Sequence, residues 1–330
     1  MSHPRGRPPG AGPSAGTGAR AGPAVEAAAA VLGPRAQRGR LLGPMTTYRV
    51  GGPAAIFVEA AGEDDLVAVA EAVAVSGLPV LVIGRGSNLL VADGGFAGLA
   101  LALGEPFATI DIRGTEVTAG AAATLPVLAR RTAAAGLRGL EWAVGVPGSV
   151  GGGVRMNAGG HGSDIAATLA GAQVFDLASA SWGDRSAADL SLGYRRSALG
   201  PREVVLSGRF ALARGDREAA EREVTEVVRW RRQHQPGGAN AGSVFTNPPG
   251  DSAGRLVEAA GLKGHREGSA YVSPKHANFI QVDDGGSAAD VVRLMEVVAR
   301  RVLESSGVEL QPEVHMVGFG PISLSTGGLG

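Results

Sequence analysis

Three short segments of the chain carry side chains able to do chemistry. Gly193-Tyr194-Arg195-Arg196-Ser197 sets two arginines beside an aromatic residue, and a guanidinium is a planar fork suited to clamping a carboxylate. Asn240-Ala241-Gly242-Ser243-Val244-Phe245 presents a hydroxyl after a glycine, without the G-x-S-x-G spacing of a hydrolase nucleophile. Gln311-Pro312-Glu313-Val314-His315 places a carboxyl at the mouth of an apolar strand, with His315 two positions on and on the same face. Each has an ordinary alternative: solvated surface arginines, a turn serine, an exposed strand end. The six histidines are too scattered for a local metal motif, and His276 reads as a turn residue, so no metal is expected.

Two glycine-rich loops could bring backbone against a ligand. Ile83-Gly84-Arg85-Gly86-Ser87-Asn88-Leu89 follows a strand and begins G-x-G, but Leu89 stands where a Rossmann fingerprint needs its third glycine. The run after it reads as strand and turn, not helix. Successive N–H groups in such a turn still form an anion nest, with Ser87 and Asn88 adding side-chain donors. In the second loop, Gly145 to Gly162, eight of eighteen residues are glycine. Apolar residues punctuate it, so it is no flexible linker. It reads either as a bed for a flat or phosphate-bearing ligand or as a demanding turn.

The rest of the chain must position these pieces. Glycine makes up 53 of 330 residues, more than twice the usual ~7%, which favours tight turns and close backbone approaches. There is no cysteine, which excludes disulfides, thiolate nucleophiles and sulfur-ligated metals. Lys+Arg 31 balances Asp+Glu 31, so no global field favours nucleic acid or a membrane surface, and no apolar run is long enough for a membrane span. Residues 1–37 read as a disordered Pro/Gly/Ala tail without a secretory pattern, so a cytoplasmic protein is expected. Helices are expected at Glu63–Ser76, Leu125–Ala135, Asp216–His234, Ser252–Ala260 and Ala288–Ser305, and strands at Ile56–Glu59, Leu78–Ile83, Leu99–Leu103, Ala108–Ile112, Glu116–Ala119, Gln173–Leu177, Val204–Leu212, Phe279–Val282 and Val314–Val317. That order favours the α+β class, with a domain boundary after Gly215.

Taken together and in order, these motifs resemble the UDP-N-acetylenolpyruvoylglucosamine reductase family. Thr46-Thr47-Tyr48-Arg49-Val50-Gly51-Gly52-Pro53-Ala54, both glycine loops, the Tyr-Arg segment, Ala241-Gly242-Ser243, Gly261-Leu262-Lys263-Gly264, Lys275-His276-Ala277-Asn278-Phe279 and Pro312-Glu313-Val314 carry the resemblance. It implies an FAD-binding domain of the vanillyl-alcohol-oxidase (PCMH) type, made of two α+β subdomains over 38–215. A smaller α+β substrate domain over 216–320 and a flexible tail over 321–330 would follow. By motif, Arg195, Ser243 and Glu313 correspond to the catalytic arginine, the proton donor and the third active-site residue. The resemblance places FAD contacts at Tyr48, Val50, Gly84, Gly86, Ser87, Asn88, Leu89, Gly145, Pro147, Gly148, Gly151, Gly152, Asn157 and Gly159. It places substrate contacts at Arg195, Asn247, Lys263, His276 and His315. The implied cofactors are FAD and NADPH, the implied partner a UDP-sugar enolpyruvyl ether, and a monomer is expected. Three departures stand out. Gly153 and the pair Gly160-His161 occupy positions where the family often has alanine and Ala-Tyr, His315 stands where it often has arginine, and the compact stretch from Arg195 to Ser243 matches the shorter family type. The rival readings are another flavin oxidase or dehydrogenase of this fold, or an idle nucleotide-binding protein.

Overall fold

In the computed structural model, which describes residues 22–320, helix α1 (Pro23–Leu32) opens the chain. The tails expected at 1–21 and 321–330 lie outside those residues, but the tail expected to run on to 37 is corrected. Proline in the first turn suits a helix start, and the alanine-rich stripe buries Val25, Ala28, Ala29 and Leu32. They share a core with Leu66, Val69, Ala70 and Val73 of α2 (Glu63–Ser76). Small side chains hide such a stripe from a hydropathy reading, yet they let two helices approach closely. In α2, Glu63, Asp64 and Asp65 sit in the first turn, where the dipole favours acids, and Gly77 closes the helix in the left-handed region.

Both helices pack on a four-stranded sheet ordered Gln37–Arg38, Ala54–Ala60, Phe96–Leu103, Val80–Ile83. Its last three strands run parallel. A second sheet is antiparallel throughout, ordered Ser181–Ser186, Leu169–Asp176, Glu203–Ala211, Glu116–Gly120, Ile110–Arg113. Strand alternation splits its side chains between two cores. Phe175, Val204 and Leu206 face the first subdomain, while Val174, Val205 and Phe210 face α3 (Leu125–Ala134) and α4 (Val150–Met156). This shared sheet makes two α+β subdomains one body.

Helix α4 lies inside the second glycine loop, where three glycines in a row argue against helix by about 1 kcal/mol each. Tertiary packing overrides that preference. A Cβ on Gly151 would stand 2.8 Å from Ala121 Cβ, so only glycine lets the helix settle on its neighbour. Ser149 caps the start, its Oγ accepting from Gly152 N, and Asn157 ends the helix at φ +40.

The expected boundary after Gly215 is also corrected. Helix α5 (Arg217–His234) buries Ala220, Val224 and Val227 in the core of α3, Trp142 and Leu212, so it belongs to the second subdomain. Gly215 marks a change of element, not the end of a packing unit. The third core follows it, with α6 (Ala253–Ala259) and α7 (Ala288–Ser306) against a sheet of Arg266–Glu267, Ala270–Val272 and Ile280–Val282. The chain then returns. His315–Val317 pairs in parallel with Leu89–Val91, directly after the first glycine loop. Asp93 fastens the same junction, accepting from Ala288 N at 2.8 Å and Ala289 N at 3.0 Å.

Candidate functional site

The two subdomains and the third core together line a cavity of about 590 Å³. The first glycine loop forms one wall and the second forms another. Gly84, Gly86, Ser87, Asn88 and Leu89 of the first loop line it, as do Gly145, Pro147, Gly148, Gly152 and Gly159 of the second. Gly86 has φ +58, and a Cβ there would overlap the Met45 carbonyl oxygen; a Cβ on Gly84 would overlap Ser149 Oγ. At Gly86 glycine is thus required by backbone approaching backbone, and at Gly84 it leaves room for the Ser149 side chain.

Arg195, Ser243, Glu313 and His315 reach the same cavity from three distant parts of the chain. Arg195 sits in a turn closed by the Gly193–Arg196 bridge, at φ +55, with its guanidinium 5.2 Å from the Tyr194 ring centroid. Its Nε donates to Glu313 Oε1 at 2.6 Å, with the two side chains 27% and 12% exposed. Burial pushes the Glu313 carboxyl above its ordinary range, while the Arg195 charge and hydrogen bond pull the other way and lose. Ser243 follows Gly242, whose φ of +78 turns the chain into the cavity. Its neighbours are pinned by the buried Asn278, which accepts from Phe245 N at 3.0 Å and donates to Phe245 O at 2.8 Å. Glu313 N donates to Val244 O at 2.8 Å, tying the carboxyl strand to the serine loop. Loss of water around the ring at the cavity, and then the nearby Arg155 charge, push the His315 imidazole below its ordinary value, so it is neutral at pH 7, although the residue stays exposed on its open side.

Other expected contacts stand back from the cavity wall. Tyr48 and Val50 are buried in the third core. Gly151 packs on Ala121, and the Asn157 amide is engaged by protein groups. Asn247 Oδ1 accepts from Ala253 N at the start of α6, and Lys263 pairs with Glu258 at 2.7 Å. His276 packs edge-on against Phe279, itself a cavity residue, and so stands one layer behind. Conversely, Arg155, Arg231 and Gln235 line the cavity without having drawn notice in the sequence. Arg155 Nη2 donates to Gly200 O at 2.9 Å and also reaches Glu203 O, and Arg231 donates to Gly145 O. The only signal for Arg155 was a large charged residue inside a run of small ones; Arg231 is one arginine among several on an amphipathic helix.

The residues present suit a flavin dinucleotide. Two adjoining glycine loops leave backbone bare along the cavity, as a flat ring system and a pyrophosphate require. Among the described residues, the hydroxyls of Thr47 and Tyr48 are buried without a hydrogen-bond partner, and Thr47 N donates to Gly86 O, so orphaned polar groups lie beside the first loop. Arginines and a protonatable carboxyl on the remaining wall suit an anionic substrate.

Comparison with known proteins agrees. Residues 54–181 match an FAD binding domain family, and residues 233–317 match the C-terminal domain of UDP-N-acetylenolpyruvoylglucosamine reductase. The reductase of Rubrobacter xylanophilus is 43% identical over 276 residues, 83% of this chain and 92% of its own length. That of Heliobacterium modesticaldum is 43% identical over 286 residues, 86% of this chain and 91% of its own. The crystal structure of the UDP-N-acetylenolpyruvylglucosamine reductase from Thermus caldophilus superposes with a TM-score of 0.75 at 38% identity, covering 86% of this chain and 99% of that one. With both domains matched and identity sustained across most of its length, the chain belongs to the UDP-N-acetylenolpyruvoylglucosamine reductase family, an FAD-containing family of oxidoreductases.

Proposed function

We propose that this protein reduces the enolpyruvyl group of UDP-N-acetylglucosamine-enolpyruvate to give UDP-N-acetylmuramate, with NADPH as reductant, as a step in peptidoglycan precursor synthesis. The observation that carries this reading is the meeting of Arg195, Ser243 and Glu313 on a cavity whose other walls are the two glycine loops. Gly84, Gly86, Ser87, Gly145, Pro147, Gly148 and Gly152 would hold FAD, which supplies a hydride, taken from NADPH, to the enolpyruvyl methylene carbon. The neighbouring carbon then carries carbanion character beside the substrate carboxylate. Arg195 clamps that carboxylate through a charged, forked pair of N–H donors and stabilises the charge as it spreads. Glu313, whose carboxyl burial makes readier to take up a proton, would in its protonated form donate a further hydrogen bond to it. Ser243 delivers the proton to the carbanion carbon; a hydroxyl is a weak acid, adequate only against so strong a base. His315, neutral, offers a hydrogen bond where the family often has a positive charge.

The reading takes the enzyme as a cytoplasmic monomer whose partners are small molecules. Among the described residues no helix is long and apolar enough to cross a membrane. The test is spectroscopic. Purified protein should be yellow with one FAD per chain, be bleached by NADPH without oxygen, and regain its colour when the enolpyruvyl substrate is added. A colourless protein that never takes up FAD, or a bleached one that ignores the substrate, overturns the proposal.

A further inference from the structure

Asn157 looks like a cofactor contact in sequence, but the fold commits its amide elsewhere. It is 3% exposed. Its Nδ2 donates to Asp164 Oδ2 at 3.0 Å and to Gly193 O at 3.1 Å, and its Oδ1 accepts from Ala166 N at 3.0 Å. Both amide protons are therefore used, and none is left for a ligand.

The bond to Gly193 O is the informative one. Gly193 and Arg196 close a tight turn through Gly193 N to Arg196 O at 3.0 Å and Arg196 N to Gly193 O at 3.2 Å. Tyr194 and Arg195 form its tip. Arg195 is held there in the left-handed region, at φ +55, a conformation a non-glycine side chain keeps only where its surroundings impose it. The far side of this loop is anchored separately, by Ser197 Oγ donating to Arg155 O at 2.7 Å and Arg155 Nη2 donating to Gly200 O. The near side is anchored by Asn157 alone among these side chains. Two residues further on, Gly159 O accepts from the Arg195 guanidinium itself at 3.4 Å.

We propose that Asn157 is a positioning residue, which fixes the base of the Gly193–Arg196 turn and thereby aims Arg195 at Glu313 and the cavity. The proposal rests on the role given to Arg195 above. It makes the second glycine loop serve two tasks, a ligand wall on one side and a bracket for the arginine on the other.

The test compares wild-type holoenzyme with Asn157→Asp and with the double variant Asn157→Asp/Asp164→Asn. Aspartate keeps the size, the tolerance of positive φ and the acceptor for Ala166 N, but loses both donors. The double variant restores a donor–acceptor pair between 157 and 164 in reversed sense, yet removes the side-chain donor to Gly193 O, which keeps only Arg196 N. Asn157→Asp should lower the melting temperature, and the double variant should recover it. In both variants FAD binding and reduction by NADPH should keep wild-type rates. Oxidation of the reduced flavin by the enolpyruvyl substrate should fall about 10²-fold in both, the scale expected for a displacement near 1 Å. Recovery of that step together with melting temperature in the double variant means a merely structural role, and overturns the proposal. Should the single variant not fold, the double variant carries the comparison. A second readout needs no substrate: the Glu313 carboxyl, followed by carbon NMR, should titrate higher in the double variant than in wild type once Arg195 is released. An unchanged Glu313 titration overturns the positioning role on its own. Failure of wild-type enzyme to react with the substrate tells against the functional reading instead.

Discussion

The Arg195–Glu313 pair ties a buried carboxyl to a guanidinium, and the balance between burial and charge decides what Glu313 can do. Burial dominates, so the folded carboxyl takes up its proton more readily than the unfolded one. Ionising it then costs stability: its contribution is complete below the ordinary glutamate value and is lost as pH rises through the higher folded value. If the neutral form is the active one, turnover falls along the same limb. Glu313→Gln stays neutral at every pH, so its residual activity should lose that limb, which a pH profile of kcat/KM checks. An unchanged limb in the glutamine variant would assign it to another group. At this scale the sequence was legible where a motif surrounds the residue. Arg195, Ser243 and Glu313 stand in short runs that could be matched one by one, and the cavity contains all three. Arg155 and Arg231 could not be seen that way, because nothing beside them in sequence says that they point inward. Asn157 reads as a cofactor contact, and its amide is engaged by three protein groups; a buried amide held that way and one facing a ligand look the same in a string of letters.

At the scale of elements, glycine and alanine misled most. Helix α4 hides behind three glycines because its stability comes from close packing on Ala121 and Leu125 and not from propensity. Helix α1 hides behind alanines, although Leu32 is fully buried. Its burial alone is worth on the order of 1.5–3 kcal/mol, so deletion through Leu32 should lower the melting temperature by several degrees. Scanning calorimetry checks this, and an unchanged transition would mean that α1 does not hold to α2 in solution. The helices with ordinary signals were read nearly to the residue. Glu63–Ser76 begins on acids and stops at Gly77, and Ala288–Ser306 begins after Ser287, whose Oγ accepts from Asp290 N at 3.1 Å. The expected strand at Ala108–Ile112 starts instead at Ile110, because Glu105–Ala108 forms a turn of 3₁₀-helix led by Pro106.

At the scale of the molecule, the site exists because the chain comes back to its first subdomain. His315–Val317 joins Leu89–Val91, His315 N donates to Asn88 O at 2.9 Å, and Asn88 Nδ2 donates to Glu313 O at 3.2 Å. A contact such as Asn88 to Glu313, 225 positions apart, leaves no local trace, which is why the architecture followed from the family resemblance and not from periodicity. Asp93 secures the junction at the start of α7, and Asp93→Ala should cost about 0.5–2 kcal/mol, the range of a lost helix cap, in thermal or denaturant unfolding. Loss of nothing measurable would mean that strand pairing alone suffices. The central claim is that Ser243, on the wall of this shared cavity, serves only one of the two half-reactions, the reoxidation of the reduced flavin. Stopped-flow measurement of each half-reaction in Ser243→Ala tests it most directly. The hydroxyl is needed only after the hydride has moved, so FAD binding and reduction by NADPH should be unchanged. Oxidation of the reduced flavin by the enolpyruvyl substrate should slow by at least the ~10²-fold that loss of a general acid brings, about 2.7 kcal/mol of barrier. An alanine variant that reoxidises at the wild-type rate, or one impaired equally in both half-reactions, contradicts the account.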